Sequence, residues 1–328
     1  MKIHIIDYQK IKHYSKLNFF TFLFAVGFLF NSLISCKTTC PVSQFSDTTR
    51  LRNDMMIITG TEKYRNYMHP ETLDSVAAYI FSEFSKNCDT VYYQTFEIEG
   101  QIYRNVIGAT GISNEKRMVV GAHYDVAYSQ PGADDNASGV VALLELSRMT
   151  KKEKLNYRVD FVAFALEEPP YFKTTKMGSY IHAKDLFDKG IALEGMICFD
   201  MIGYFSDEPN SQTYPIKILK PFYGSKGNYI TVVKKLFGGV FGHKVEKYMK
   251  EAGCIETKAF TGPKSLPGID FSDHLNYWKF GYPAVMITNT AFYRNEGYHT
   301  QADTIGTINF LKMSQVIDEV FYTLKNYK

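Results

Sequence analysis

Residues that could bind a divalent metal follow a short apolar segment near the middle of the chain. His123 and Asp125 follow residues 118–120 by three and five positions, and Asp134 lies in the loop that comes next. Imidazole and ionised carboxylate groups are ligands of zinc-type ions. A helix predicted after this loop would turn its N-terminus towards Asp134, which favours an ionised carboxylate there. The stretch therefore indicates a metal site, although an acidic surface loop would have a similar composition.

Metal-ligand residue types recur after three later apolar segments. They are Glu167 and Glu168 after residues 157–166, Asp200 after residues 195–199, and His299 in the loop after residues 283–288. Ligands bind outside the carboxyl ends of the strands in open α/β sheets, so we expect these side chains to converge. Together with His123 and Asp134 they are two imidazoles and four carboxylates. This set exceeds the needs of one tetrahedral zinc and predicts two divalent ions.

The adjacent carboxylates Glu167 and Glu168 need a physical reason. Burying two like charges is costly without a nearby cation. Neighbours on an extended segment point to opposite faces, so one could bind metal while the other faces a reacting water. The alternative is an exposed acidic turn, which is disfavoured because an apolar strand runs directly into the pair.

Alternating strands and helices are predicted around these residues. Strands are expected at residues 90–98, 103–109, 118–120, 157–166, 195–199 and 283–288. Helices are expected at residues 51–60, 72–84, 179–188, 230–249 and 310–324, and after the loop of Asp134, with the helix at 230–249 interrupted by Gly238 and Gly239. A Gly/Pro-rich loop is expected at residues 261–269. We find no internal repeat and no second domain boundary, which predicts one α/β domain.

The N-terminus has the features of an export element. Four lysines precede an apolar core at residues 19–30, as in secretory signal segments. The quartet ending in Cys36, "LISC", resembles the lipobox of bacterial lipoproteins, which implies that Cys36 is lipidated. The alternative is an uncleaved anchor over residues 17–35, a length just sufficient to span a bilayer. Either case predicts an exported, membrane-anchored protein on the periplasmic side or in the cell envelope.

Composition limits the classes of partner. Hydrophobic residues form 45% of the chain, enough for a sizeable core. The net charge of +3 resides in the first 36 residues, which hold four lysines and one aspartate. The neutral remainder has no basic block interleaved with aromatics, so a nucleic acid is not expected as a partner. If Cys36 is lipidated, four other cysteines, at positions 40, 88, 198 and 254, allow three complete disulfide pairings. Cys198, in an apolar segment, is expected to be a buried thiol.

Six ordered motifs carry a resemblance to a known family. They are "GAHYD", "PGADDNASG", "LEEPP…MGS", "DMIGY", "SDH" and "YHTQADT". In this order they resemble the M28 family of zinc aminopeptidases over roughly residues 50 to 328. The resemblance implies a single three-layer α/β domain at residues 51–328 with a mixed, mainly parallel central sheet flanked by helices. Residues 1–36 would then be the signal segment and residues 37–50 a tether.

The same resemblance implies roles for individual residues. Asp134 would bridge two zinc ions, His123 and Asp200 would complete one site, and Glu168 and His299 the other. Glu167 would be the general base, and Asp125 would orient His123. Asp273 and His274 match "SDH" and would shape the pocket or serve a structural role, and Asp303 would steady the His299 loop or form a local turn. The substrates would be peptides with a free N-terminus.

Two alternatives differ in chemistry. A glutaminyl cyclase shares the fold and much of the ligand set but uses one zinc. A non-catalytic ectodomain of the same fold would be expected to lose ligands or the base. The intact "ADDNASG" and "LEEPP" favour the peptidase. The segment "PPYFKTTKMGS" is longer than a typical glycine-rich turn of the family, so the shape of the substrate pocket is not implied.

Overall fold

The structure is a computed structural model that describes residues 40–328. The predicted signal segment, including Cys36, lies outside the described residues. Among the residues described, no helix has the length and apolar character needed to cross a membrane. All statements below concern the described part of the chain.

A single sheet of eight strands forms the centre of the domain. The strands are β1 (Thr90–Ile98), β2 (Gln101–Thr110), β3 (Arg117–His123), β4 (Arg158–Phe164), β5 (Gly195–Phe199), β6 (Ile230–Lys235), β7 (Thr257–Gly262) and β8 (Ala284–Thr288). Their order across the sheet is β1-β2-β4-β3-β5-β8-β6-β7. The four central strands β4, β3, β5 and β8 run parallel to one another. This arrangement confirms the expected mixed, mainly parallel sheet.

Helices cover both faces of the sheet. They are α1 (Thr48–Thr59), α2 (Pro70–Ser85), α3 (Ser138–Thr150), α4 (Gly178–Asp188), α5 (Lys220–Tyr223), α6 (Phe241–Ala252), α7 (His274–Lys279) and α8 (Phe310–Asn326). Local signals define several ends. The Asp47 carboxylate caps α1 by accepting from the N–H groups of Thr49 and Arg50, and Pro70 begins α2, where a missing N–H costs nothing.

The central strands alternate between two hydrophobic cores. In β3, Val120 packs in the core with helices α1, α2, α3, α6 and α8, whereas Val119 packs in the core with α4 and α7. In β5, Ile197 packs in the first of these cores and Cys198 in the second. Successive side chains of a strand point to opposite faces, so an unbroken apolar run is what a strand covered on both sides requires. This alternation produces the three layers.

The segment at residues 230–249 differs from its predicted structure. The expected interrupted helix is wrong in its first half, because Ile230–Lys235 forms β6 and only Phe241–Ala252 is helical. The run "ITVV" is rich in β-branched residues, which pack well on a sheet surface. The strand β7 was not predicted, and it takes up the start of the loop expected at residues 261–269.

The cysteines form one disulfide. Cys40 is bonded to Cys254, whereas Cys88 and Cys198 are free thiols. Cys198 is fully buried in β5, as expected from its apolar segment. The helix α1 begins at Thr48, so the last residues of the predicted tether are helical.

Candidate metal centre

Four parallel strands deliver the candidate ligands to one edge of the sheet. His123 is the last residue of β3, Asp200 directly follows β5, and Glu167 and Glu168 come three and four residues after β4. His299 lies in the long loop after β8. Because these strands are parallel, their carboxyl ends meet at the same edge. The convergence expected from the sequence is therefore present in the structure.

Asp135 lies between the two histidines. Its Oδ1 is 3.4 Å from the Nε2 of His123, and its Oδ2 is 3.2 Å from the Nε2 of His299. The carboxylate is 2% exposed. One oxygen therefore faces each imidazole, which is the arrangement required of a carboxylate that bridges two ions.

Two further carboxylates complete the two halves of the cluster. Glu168 Oε2 is 3.2 Å from the Nε2 of His299, and Asp200 Oδ2 is 3.8 Å from the Nε2 of His123. The ligand atoms of His123, Asp135 and Asp200 lie within 4.8 Å of one another, as do those of Asp135, Glu168 and His299. The two groups share Asp135. Each could hold one ion.

The sequence-based assignment of Asp134 is corrected by this geometry. The Asp134 carboxylate does not face either histidine but accepts hydrogen bonds from Gly203, Tyr204, Asn289 and Asn295. Adjacent residues of a loop can point in different directions, and the "ADDNASG" pattern alone does not say which aspartate faces the edge. The structure places Asp135, and not Asp134, between the two histidines.

A buried arginine shapes the loop that carries Asp135. The Arg65 guanidinium is 1% exposed and donates to the carbonyl oxygens of Tyr124, Pro131 and Gly132. Gly132 has φ of 63°, in the left-handed region, and a Cβ there would lie 2.3 Å from the carbonyl oxygen of Asp135. A side chain at this position would therefore displace the loop.

Asp125 connects the first histidine to the paired glutamates. Its Oδ1 lies 3.6 Å from the Nδ1 of His123, and its backbone carbonyl lies 3.2 Å from the same nitrogen. Its two carboxylate oxygens also accept the backbone N–H groups of Glu167 and Glu168, each at 3.1 Å. Asp125 is thus placed to orient His123, as expected, and it also fixes the backbone of the glutamate pair.

Asp303 fixes the backbone of the bridging loop. Its carboxylate oxygens accept the N–H groups of Asp134 and Asp135 at 2.8 and 2.9 Å. The sequence offered two readings of Asp303, support for the His299 loop or a local turn. In the structure its side chain joins the segment after His299 to the Asp134–Asp135 segment, and its backbone N–H donates to the carbonyl of Thr300 in a local turn.

Asp273 and His274 of the "SDH" motif are both buried, but they contact different parts of the protein. The Nε2 of His274 is 2.8 Å from the carbonyl oxygen of Ile269, a structural contact away from the cluster. Asp273 is 0% exposed, and burial raises the pKa of its carboxyl to about 7. The Asp273 charge contributes to the raised pKa of Glu167, so the two carboxyl groups lie close enough to interact.

Glu167 lines the same cavity as the candidate ligands. Its Oε2 is 3.9 Å from the Nε2 of His123, farther than the carboxylate oxygen of Asp135. Burial, together with the charges of Glu168, Asp273 and Asp200, raises the pKa of Glu167 well above its ordinary value. A carboxyl group with a raised pKa is suited to accept and release a proton near neutral pH.

The charges of the cluster fit a cation. Burial raises the pKa of Asp200 to about 8 and also raises the pKa of Glu168. The buried Oε1 of Glu168 has no hydrogen-bond partner, and the buried Oδ2 of Asp135 has only the ion-pair contact with His299. Four carboxylates around two imidazoles would have to hold extra protons, and dications could replace these protons. The donor set of imidazole and carboxylate suits zinc.

A larger apolar pocket opens beside the cluster. It has a volume of about 730 Å³, part of it open to solvent, and shares Asp200, Phe271, Ala291 and Phe292 with the cavity that the candidate ligands line. Its walls are rich in aromatic side chains: Tyr214, Tyr223, Tyr229, Phe260, Phe271 and Phe292. An apolar side chain attached to a molecule held at the cluster could enter this pocket.

A family model matches the part of the chain that contains the site. The model described as peptidase family M28 matches residues 105–324, which contain every residue of the cluster. The chain belongs to peptidase family M28. An uncharacterized protein of Escherichia coli, YfbL, is 36% identical over 94% of this chain and 97% of its own length.

Other relatives of this M28 protein are aminopeptidases by name. Leucine aminopeptidase 1 of Fusarium vanettenii is 26% identical over 68% of this chain, and the match spans 54% of that relative. Among solved structures, the LapA aminopeptidase of Legionella pneumophila has a TM-score of 0.66 at 18% identity and covers 85% of this chain and 71% of its own. A glutaminyl cyclase of Bacteroides thetaiotaomicron also has a TM-score of 0.66, at 19% identity, and covers 88% of this chain and 100% of its own. At these identities the solved structures establish the fold, and both enzyme types share it.

Proposed function

We propose that the protein is an aminopeptidase that uses two zinc ions to hydrolyse the N-terminal residue from peptides. The observation that carries the proposal is the position of Asp135, with one carboxylate oxygen towards each histidine. His123 and Asp200 would hold one ion and Glu168 and His299 the other, with Asp135 shared by both. Family membership and the named relatives support hydrolysis of peptides.

The protein's own residues would divide the remaining work. Zinc, when bound, supplies a Lewis acid that polarises a carbonyl and lowers the pKa of water. Glu167 would take the proton of the attacking water and return it to the leaving amine, since its carboxyl lines the cavity. It lies outside both ligand groups that contain Asp135, although it forms a third group with His123 and Glu168. Asp125 would keep His123 and the glutamate backbone in place.

The apolar pocket would bind the side chain of the residue that is released. Its aromatic walls favour large apolar or aromatic side chains and disfavour charged ones, because a charge loses its hydration there. Full burial of a leucine or phenylalanine side chain contributes about 1.5–3 kcal/mol. We therefore expect kcat/KM for leucine and phenylalanine amides to exceed that for alanine amide by about 10- to 100-fold.

A panel of substrates tests the proposal. The zinc-loaded protein would be assayed with aminoacyl amides and with a peptide that has an N-terminal glutamine. Release of the first residue from leucine amide, abolished by a chelator and restored by zinc, is the expected result. Cyclisation of the glutamine peptide without hydrolysis of the amides would favour a glutaminyl cyclase, the alternative that shares the fold. Zinc binding without either activity would favour a binding protein.

We also propose that a lipid on Cys36 anchors the protein to a membrane on its exported side. The support is the sequence alone, namely the lysines, the apolar core at residues 19–30 and the quartet that ends in Cys36. Fatty-acid labelling of the wild type and of Cys36→Ala tests this anchor. Labelling that persists in the variant would exclude Cys36 as the lipid site.

A further inference from the structure

Asp134 has surroundings unlike those of its neighbour Asp135. It is 0% exposed, and its Oδ1 accepts the backbone N–H groups of Gly203 at 2.8 Å and Tyr204 at 3.1 Å. Its Oδ2 accepts the side-chain amides of Asn289 at 2.8 Å and Asn295 at 2.9 Å. A carboxylate offers about four acceptor positions. All of them are filled by N–H donors.

The four donors lie on the segments that carry the other candidate ligands. Gly203 and Tyr204 follow Asp200 by three and four residues, and Asn295 precedes His299 by four. Asn289 directly follows β8 and donates its backbone N–H to the carbonyl of Met201 at 2.7 Å. One carboxylate therefore joins the bridging loop to both the Asp200 and the His299 segments.

Both asparagines are oriented so that their amide nitrogens must face Asp134. The Oδ1 of Asn289 accepts the N–H of Ala291, and the Oδ1 of Asn295 accepts the N–H of Gly297, each at 2.9 Å. The oxygen of each side-chain amide is thus already used by its own turn. An ionised acceptor at position 134 is the matching partner, and hydrogen bonds to an ionised group are roughly twice as strong as neutral ones.

We infer that Asp134 is a positioning residue that holds the Asp200 and His299 segments at the distance needed for two ions. The inference rests on the proposed function, since it concerns ligands of the same site. Groups that orient metal ligands typically contribute about 10- to 100-fold in metal affinity. Asp134 would act through its neighbours, without touching either ion or the substrate.

Asp134→Asn is the first variant to measure. Asparagine has the same size, but its amide nitrogen would point at two of the four donors. We expect zinc affinity to fall by about 10- to 100-fold. We also expect faster amide hydrogen exchange at residues 289–299 in the metal-free protein, a readout that needs neither zinc nor activity.

A paired exchange tests whether the contact itself is responsible. In Asp134→Asn/Asn295→Asp, the amide nitrogen at position 134 would face a carboxylate at position 295. We expect this double variant to recover about tenfold of the affinity lost in Asp134→Asn. Glu319→Gln is the matched control, since Glu319 is also 0% exposed and accepts the N–H of Ile255, but it lies on α8. The control should leave zinc affinity unchanged.

Several results would overturn the inference. Native zinc affinity with unchanged exchange at residues 289–299 in Asp134→Asn would do so, as would a double variant that binds no more tightly than the single one. If Asp134→Asn does not fold, Asn295→Ala removes one donor and keeps the carboxylate, and native exchange in that variant would equally overturn it. A wild type that binds no zinc but shows faster exchange in the variants would refute the proposed function and leave the positioning role intact.

Discussion

Two groups of carboxylates that are mostly buried lie in different parts of the fold and are neutralised differently. The group among helices α1, α2 and α3 contains Asp54, Glu83 and Glu145. Arg148 lies 2.6 Å from Asp54 and 2.8 Å from Glu83, and Arg50 lies 2.6 Å from Glu145. Every carboxylate in this group thus has a guanidinium partner, and the group needs nothing from outside the protein.

The group at the sheet edge has no such partner. Within the described residues, the nitrogens that form ion-pair contacts with Asp135, Glu167, Glu168 and Asp200 are the imidazoles of His123 and His299. An unpaired buried carboxylate is costly, so a cluster of four with two imidazoles is stable only with added protons or added cations. The absence of a guanidinium partner among the described residues, more than the number of carboxylates, therefore distinguishes this group as the candidate metal site.

The largest expected effect concerns Glu167, the carboxylate at the sheet edge that we propose as the general base. Glu167→Gln should lower kcat by about 10²- to 10⁴-fold, because general-base assistance is lost. Both zinc ions should remain if Glu167 is the base. Glu167 also forms a group with His123 and Glu168 that could hold an ion, so the zinc content distinguishes a base from a ligand. Kinetics and zinc content would be measured on the same sample. A loss of zinc in proportion to activity would make Glu167 a ligand.

The second prediction concerns the loss of Arg148 from the carboxylate group among helices α1, α2 and α3. Arg148→Met should lower the free energy of unfolding by about 3–5 kcal/mol, because the buried Asp54 would keep its charge without a guanidinium partner. Denaturant unfolding measures this effect. Lys184→Met is the matched control, since Lys184 pairs with Asp188 on an exposed helix face and should cost less than about 1 kcal/mol. Equal losses of unfolding free energy in Arg148→Met and Lys184→Met would contradict the contrast between the two groups of carboxylates. Loss of zinc from Arg148→Met would also contradict it.

The third prediction concerns pH and metal removal. Burial raises the pKa of Asp200 to about 8 and of Asp273 to about 7, from the ordinary value of 3.8. A raised carboxyl pKa gives stability that is complete below about pH 4 and is lost as pH rises through the folded pKa, at about 1.4 kcal/mol per unit for each group. The metal-free protein should therefore be less stable at pH 8 than at pH 5.

The zinc-loaded protein provides the comparison for that measurement. Bound zinc keeps its ligands ionised at every pH in this range, so the loss between pH 5 and pH 8 should be smaller. Glu319, whose pKa burial raises to about 8, contributes equally to both forms and cancels in the difference. Unfolding would be followed at pH 5, 6.5 and 8 with chelator and with zinc. Parallel curves for the two forms would contradict the account.

Much of the fold follows from local patterns in the chain. The apolar runs that end in His123, at Glu167 and Glu168, and at Asp200 predict buried parallel strands, because a strand covered on both faces needs apolar residues on both. Their shared direction then predicts that the ligands converge. The sequence predicts a helix at residues 230–235 because a short apolar run fits either a strand or a helix. The helical spacing of apolar residues over 230–249 favours the helix, although the β-branched residues at its start favour a strand.

Other features depend on contacts that no local pattern contains. Asp134 and Asp135 are the same residue type in the same loop. The donors to Asp134 from Gly203, Tyr204, Asn289 and Asn295 distinguish the one that turns away from the edge. The pairing of Cys40 with Cys254 likewise joins residues 214 positions apart. Asparagines directly after a buried strand are a signal that could have drawn attention to Asn289.

The central claim is that two dications, bridged by Asp135, neutralise the carboxylates at the sheet edge. Counting zinc ions per chain in the wild type and in Asp135→Asn, by titration of the metal-free proteins, tests it most directly. The account predicts two sites in the wild type and weakened binding at both sites in the variant, because one neutral oxygen would then lie between two repelling ions. Two zinc ions bound with wild-type affinity in Asp135→Asn, or a single site in the wild type, would contradict it.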